Sequence, residues 1–157
     1  MAIHVERVGH VVLKVRELER SVPFYRDVLG LREVARLEDR PALRVGAKLV
    51  FFSATGANHH DIGLLEVGAD APSAPGHAVG LYHVALKIGD SLDDLRAAKR
   101  HLDAQGVRIL GVSDHRVSQS VYLADPDGNV IEVYVDADPR VWQQDPSAVA
   151  SVGPLAL

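Results

Sequence analysis

Three side chains, His10, His83 and Glu132, have the types and the spacing to hold one divalent ion. Two imidazoles and one carboxylate leave positions open on a six-coordinate metal, the arrangement suited to non-haem Fe(II) and O2 chemistry. The spacing comes from an internal repeat. Gly9-His10-Val11-Val12-Leu13-Lys14-Val15 recurs as Tyr82-His83-Val84-Ala85-Leu86-Lys87-Ile88, so the two histidines hold the same place in two copies. Glu132 follows His83 by 49 residues, and a count of 50 from His10 reaches His60, inside Asn58-His59-His60-Asp61-Ile62. Both halves are therefore expected to carry a polar group at about the same place in their last strand. A strand histidine is more often hydrogen-bonded than metal-bound. Two at repeat-equivalent positions, with a carboxylate that is costly to bury unpartnered, favour ligation.

The elements that must position these residues follow from apolar periodicity. In each copy the histidine opens an alternating strand, with Val11, Leu13 and Val15 on one face and His10, Val12 and Lys14 on the other. A helix follows each strand. Leu18, Val22, Tyr25 and Leu29 form one stripe closed by Gly30, and Leu92, Leu95 and Leu102 form another, opened by a Ser91/Asp94 capping box and closed by Gly106. Further strands are expected at Lys48–Ser53 and His59–Val67 in the first copy. In the second they are expected at Val107–Val112, Ser118–Ala124 and Asn129–Val135, with a turn at Asp125-Pro126-Asp127-Gly128-Asn129. Each copy is thus β-α-β-β-β. The expected architecture is α+β, two repeats forming one domain with a shared curved mixed sheet around a metal cavity. That domain covers residues 1–138, with repeat one over about 4–68, a Gly/Pro/Ala-rich linker over about 69–79 and repeat two over about 80–136. Residues 137–157 form a C-terminal extension, expected to wrap in extended form.

Bulk properties remove several classes of function. A formal charge of −4 and a pI near 6.0, without a Lys/Arg cluster, argue against nucleic acid as a partner. No apolar run approaches a membrane span and no signal-peptide core follows Met1, so a cytoplasmic protein is expected. There are no cysteines, which leaves histidine and carboxylate as the metal donors.

Gly9–Leu31, Leu81–Ile88 and Ser120–Tyr134 together resemble the vicinal oxygen chelate superfamily, which includes glyoxalase I, fosfomycin-resistance enzymes, bleomycin-binding proteins and extradiol ring-cleavage dioxygenases. Within it, His59-His60-Asp61-Ile62 resembles the paired-histidine string of the extradiol dioxygenases, and the resemblance implies a proton-transfer role for His60. Asp114-His115-Arg116-Val117-Ser118 with Ser120-Val121-Tyr122 resembles the stretch in which those enzymes keep a supporting histidine and a tyrosine, which map to His115 and Tyr122. Residues 134–157, with Asp138-Pro139-Arg140-Val141-Trp142, resemble the C-terminal extension of catechol 2,3-dioxygenase-like proteins. His4, His77 and His101 have no counterpart and read as surface residues.

The resemblance implies a metal-dependent extradiol-type dioxygenase. Fe(II) is the expected ion, with Mn(II), Ni(II) or Zn(II) as alternatives, and the small-molecule partners are a catechol-like vicinal diol and O2. A homodimer is expected from the exposed edges of a curved sheet and from the habit of the superfamily. A glyoxalase I-like isomerase or epimerase is the metal-dependent rival, and it would use a carboxylate or Gln in the first repeat's last strand. A fosfomycin-type transferase would have no use for His59/His60. A bleomycin-resistance-type binding protein would lack the ligands.

Overall fold

The computed structural model describes residues 2–40 and 47–157. The chain divides into two compact units, Met1–Ala74 and Pro75–Leu157, each holding one copy of the repeat. In the first unit, β1 (Val11–Val15) leads to α1 (Leu18–Pro23), and then to β2 (Arg32–Arg40), β3 (Ala47–Ser53) and β4 (Ile62–Glu66). In the second, β5 (Val84–Gly89) leads to α2 (Leu92–Ala104), and then to β6 (Ile109–Asp114), β7 (Ser118–Ala124) and β8 (Val130–Asp136). The fold is mixed α+β, with one four-stranded mixed sheet per repeat and the same strand order in both, β1-β4-β3-β2 and β5-β8-β7-β6. The first and last strands of each copy pair in parallel, and the remaining pairs are antiparallel.

Alternation decides which face is buried. Leu13 and Val15 of β1 are buried while Val12 and Lys14 are exposed, and Val121 and Leu123 of β7 are fully buried on either side of the half-buried Tyr122. Helix α2 starts at the expected capping box. The Ser91 side chain accepts from the Asp94 N–H, and the Asp94 carboxylate accepts from the Ser91 N–H. Leu95 and Leu102 on its apolar stripe are buried. Helix α1 departs from a plain α-helix. After Pro23, which brings no N–H, the chain winds through a π turn over Phe24–Val28, where the Leu29 N–H reaches the Phe24 carbonyl at 3.0 Å. The predicted stripe survives, because Leu18, Val22 and Tyr25 are all buried, and Gly30 then takes a φ of +74° to end the element.

Helix α1 has no cap of its own. Glu17 contributes no side-chain hydrogen bond, and the Leu18 N–H donates instead to the Glu66 carboxylate at the end of β4, 3.0 Å away. Several boundaries differ from the sequence expectation. β2 completes the β-α-β-β-β pattern in a stretch for which the sequence pattern predicts no strand. β4 starts at Ile62, so His59 and His60 lie in the loop before it. The extension is not simply extended, since it forms α3 (Arg140–Gln144) and a 3-10 turn at Pro146–Ala150. Asp145 supports that turn by accepting from the Ser147 N–H. Among the described residues, no helix is long and apolar enough to cross a membrane.

Candidate active site

In the second unit, β5, β8 and β7 lie side by side, and their register brings the polar groups together. Ala85 is opposite Glu132, and Glu132 is opposite Tyr122. His83, one residue before β5, turns its Nε2 to the Glu132 carboxylate at 3.0 Å. The other carboxylate oxygen accepts a 2.5 Å hydrogen bond from the Ser120 hydroxyl. Glu132 is only 6% exposed, so its charge is held by these neighbours rather than by water. The Nδ1 atom of His83 is buried and has no hydrogen-bond partner among the described residues. The nitrogen that faces the carboxylate is Nε2, and an imidazole nitrogen beside a buried carboxylate is the donor chemistry that a divalent ion takes.

Tyr122 completes this cluster. Its ring meets His83 edge-on, with centroids 5.6 Å apart. Its hydroxyl is 2.9 Å from His115 Nε2, and His115 Nδ1 is 2.8 Å from the Ser151 carbonyl. Burial pushes the Tyr122 phenol up to about 12, and the hydrogen-bonded Glu132 carboxylate adds to the effect, so the hydroxyl keeps its proton at neutral pH.

In the first unit His10, His59 and His60 gather. The His10 and His60 ring centroids are 4.2 Å apart, those of His59 and His60 4.4 Å, and the two Nδ1 atoms of the adjacent pair 2.6 Å. His60 is held below the usual imidazole value by partial burial first, and then by the neighbouring His10 and His59. A neutral His60 is therefore the form ready to accept a proton. Among the described residues, no three histidine and acidic side chains already stand as a metal-holding cluster. His83 with Glu132 is the pair that the fold assembles, and His10 stands with His60 in its own unit.

Two features escaped the sequence reading. One is the loop scaffold. The Asn58 side-chain amide donates to the Gly9 carbonyl at 2.9 Å and to the His60 carbonyl at 2.7 Å, and its oxygen accepts from the His59 N–H at 3.0 Å. Asp61 receives the Ala54 N–H and the Ser53 hydroxyl, and its carbonyl accepts from the Val11 N–H. Residues on both sides of His10 are thus tied to the His59/His60 loop. Asn and Asp next to such loops do carry a signal, since both bond readily to nearby backbone.

The other is the counterpart of Glu132. Val11 pairs with Ile62 as Val84 pairs with Ile131, so Val12, Gly63 and Phe51 stand where Ala85, Glu132 and Tyr122 stand. The residue equivalent to Glu132 is Gly63, not His60. The count along the chain misplaced it because the first copy is longer between its histidine and its last strand, partly through a longer loop entering β4. His4, His77 and His101 are exposed, as expected.

The sequence model of the Glyoxalase/Bleomycin resistance protein/Dioxygenase superfamily matches residues 7–133. The chain is 35% identical over 139 residues to the catechol-2,3-dioxygenase of Bacillus subtilis (strain 168), covering 88% of this chain and 44% of that protein. It is 30% identical over 129 residues to a lactoylglutathione lyase of Neisseria meningitidis serogroup A, covering 80% and 88% of the two chains. The crystal structure of a glyoxylase/bleomycin resistance protein/dioxygenase domain from Frankia sp. EAN1pec shares the fold, with a TM-score of 0.70 at 20% identity over 85% of this chain and all of that one. The chain therefore spans less than half the length of the Bacillus dioxygenase that it matches.

Proposed function

We propose that this chain, which belongs to the Glyoxalase/Bleomycin resistance protein/Dioxygenase superfamily, is a metal-dependent extradiol-type dioxygenase that cleaves a catechol-like vicinal diol with O2. His83 and Glu132 would hold the ion, and the sequence repeat makes His10, the counterpart of His83, the third ligand of this reading. Fe(II) suits two imidazoles and a carboxylate, and Mn(II) suits the same donors. When bound, the ion would supply Lewis acidity that lowers the hydroxyl pKa values of a chelating diol and a template that aligns the diol with O2.

The observation that carries the reading is Gly63. An isomerase of the glyoxalase I kind would use a carboxylate or Gln in the first repeat's last strand. Glycine stands at the place equivalent to Glu132, and a Cβ built there would lie 3.1 Å from Val12 Cγ2 and 3.5 Å from Phe51 Cδ1. That place offers no side-chain donor and little room for one. Open coordination positions are what a diol and O2 together need.

The chain's own groups then have distinct tasks. Ser120 fixes one oxygen of Glu132, which leaves the other directed at His83. Tyr122, kept protonated, hydrogen-bonds to the bound substrate through its hydroxyl oxygen. His60, kept neutral, takes a proton from the substrate hydroxyl and returns it later.

Anaerobic purification with Fe(II), followed by oxygen uptake and the appearance of a ring-cleavage chromophore with simple catechols, tests the reading. No oxygen uptake across a broad catechol panel, together with isomerase activity under Ni(II) or Zn(II), overturns it.

A further inference from the structure

The C-terminal segment is pinned to the hairpin that carries His115 by contacts of several kinds. Asp114 and Gly153 exchange both backbone hydrogen bonds, the Asp114 N–H at 3.0 Å and the Gly153 N–H at 2.8 Å. Ala148 is buried, 1% exposed, and Arg116 pairs with Asp145 at 3.5 Å. The outcome is that the Ser151 carbonyl reaches His115 Nδ1 at 2.8 Å.

A carbonyl oxygen only accepts, so Nδ1 must carry the hydrogen in that contact. Neutral imidazole has one N–H, and Nε2 is then bare. The partner of Nε2 is the Tyr122 hydroxyl at 2.9 Å, which must therefore donate. Tyr122 has a second acceptor beside it, because it is the register partner of Glu132, whose carboxylate helps to raise the phenol's pKa. One phenolic hydrogen cannot serve both acceptors fully. In the other tautomer Nε2–H would donate to the phenol oxygen, and the phenolic hydrogen would go to Glu132.

We propose that Ser151 is a positioning residue of the site: its carbonyl fixes His115 as the Nδ1–H tautomer and so turns the Tyr122 hydroxyl toward His115 and away from Glu132. This rests on the reading that Tyr122 and Glu132 belong to the reaction centre. The consequence is that the Glu132 carboxylate is left to Ser120 and His83, while the Tyr122 oxygen keeps a lone pair for a substrate hydroxyl. The extension thereby acts on the site through one main-chain oxygen, without a side chain of its own touching substrate.

Long-range 1H–15N spectra of the His115 ring test this without any assay of turnover. The full-length protein at a pH where His115 is neutral should show Nδ1 protonated and Nε2 bare. Gly153→Ala should match it, because a Cβ there lies 3.6 Å from the Asp114 carbonyl, an ordinary contact, and the N–H is kept. Deleting residues 150–157, which leaves Ala148 in place, should populate the Nε2–H form. Gly153→Pro, which removes the N–H bonded to Asp114, should do so in part. Under the proposed reaction both changes lower turnover by about tenfold with little change in KM. An Nε2–H ring in the unaltered protein overturns the proposal, as does an unchanged tautomer in a folded deletion variant. Should the deletion fail to fold, the unaltered protein and Gly153→Pro still decide. A tautomer shift in a protein that cleaves no catechol would sink the proposed reaction and leave the role of Ser151 standing.

Discussion

Gly63 and Glu132 occupy the same place in the two sheets, each opposite the second residue after the repeat's histidine. The two copies thus differ at this place, one carrying a buried carboxylate and the other no side chain. One copy holds the buried carboxylate with His83, Ser120 and Tyr122 around it. The other gathers His10, His59 and His60 and has no donor at the equivalent place.

Placing a carboxylate at the empty position tests the consequence. Gly63→Glu should strengthen retention of a divalent ion and lower oxygen consumption with catechol by tenfold or more, on the order of a lost open coordination position. The Cβ alone is tight against Val12, so Gly63→Ala serves as the control and should cost about 1–2 kcal/mol of stability without altering ion retention. Elemental analysis of the two purified variants separates the effects. Equal metal content in both would remove Gly63 from the argument.

The tasks assigned to Glu132 and His60 differ, and so should their variants. Glu132→Ala removes a buried charge that faces His83 and Ser120, and it should abolish metal retention. His60→Ala should keep the metal while turnover falls by a factor of about 100, the usual scale for a lost proton-transfer group. A His60→Ala protein unable to retain metal would make His60 a ligand instead.

Much of this was legible in the residues. The repeated His-Val-x-Leu-Lys string gives two copies of one unit, and alternation gives the buried face of each strand. The Ser91/Asp94 box and the Asp125–Asn129 turn form as their chemistry predicts, with Asp125 accepting from the Asp127 and Asn129 N–H groups and Gly128 at a φ of +91°. Placement across strands was harder. A count along the chain pointed to His60, because loop length does not show in apolar periodicity. Strand β2 was not placed, since Arg32–Arg40 is largely charged and alternates too weakly to be read as a strand. The Glu66 cap on α1 spans 48 residues of sequence, and no local pattern announces such a partner.

Tyr122 offers a titration free of any assumption about substrate. Its phenol should ionise near pH 12, and the difference in tyrosinate absorbance between the parent protein and Tyr122→Phe isolates it from the other tyrosines. Burial is the larger cause and the Glu132 charge the next, so Glu132→Gln should bring the value down only part of the way to 10. A drop to an ordinary tyrosine value would make charge, not burial, the main cause.

Glu66 supplies the pH dependence of stability. Its carboxylate is held below the usual range by the Leu18 N–H first and by Lys48 second, the latter at 3.0 Å. A carboxylate whose folded value is depressed stabilises the fold fully above its unfolded value, near 4.5, and that contribution is lost as pH falls through the folded value. Glu66→Gln should therefore cost about 1 kcal/mol at neutral pH, the scale of a helix N-terminal cap. The difference between the variant and its parent should narrow as acid protonates Glu66 in the parent. Urea midpoints measured across that range check it, and a gap that stays constant down to strongly acidic pH would show that Glu66 acts through shape and not through charge.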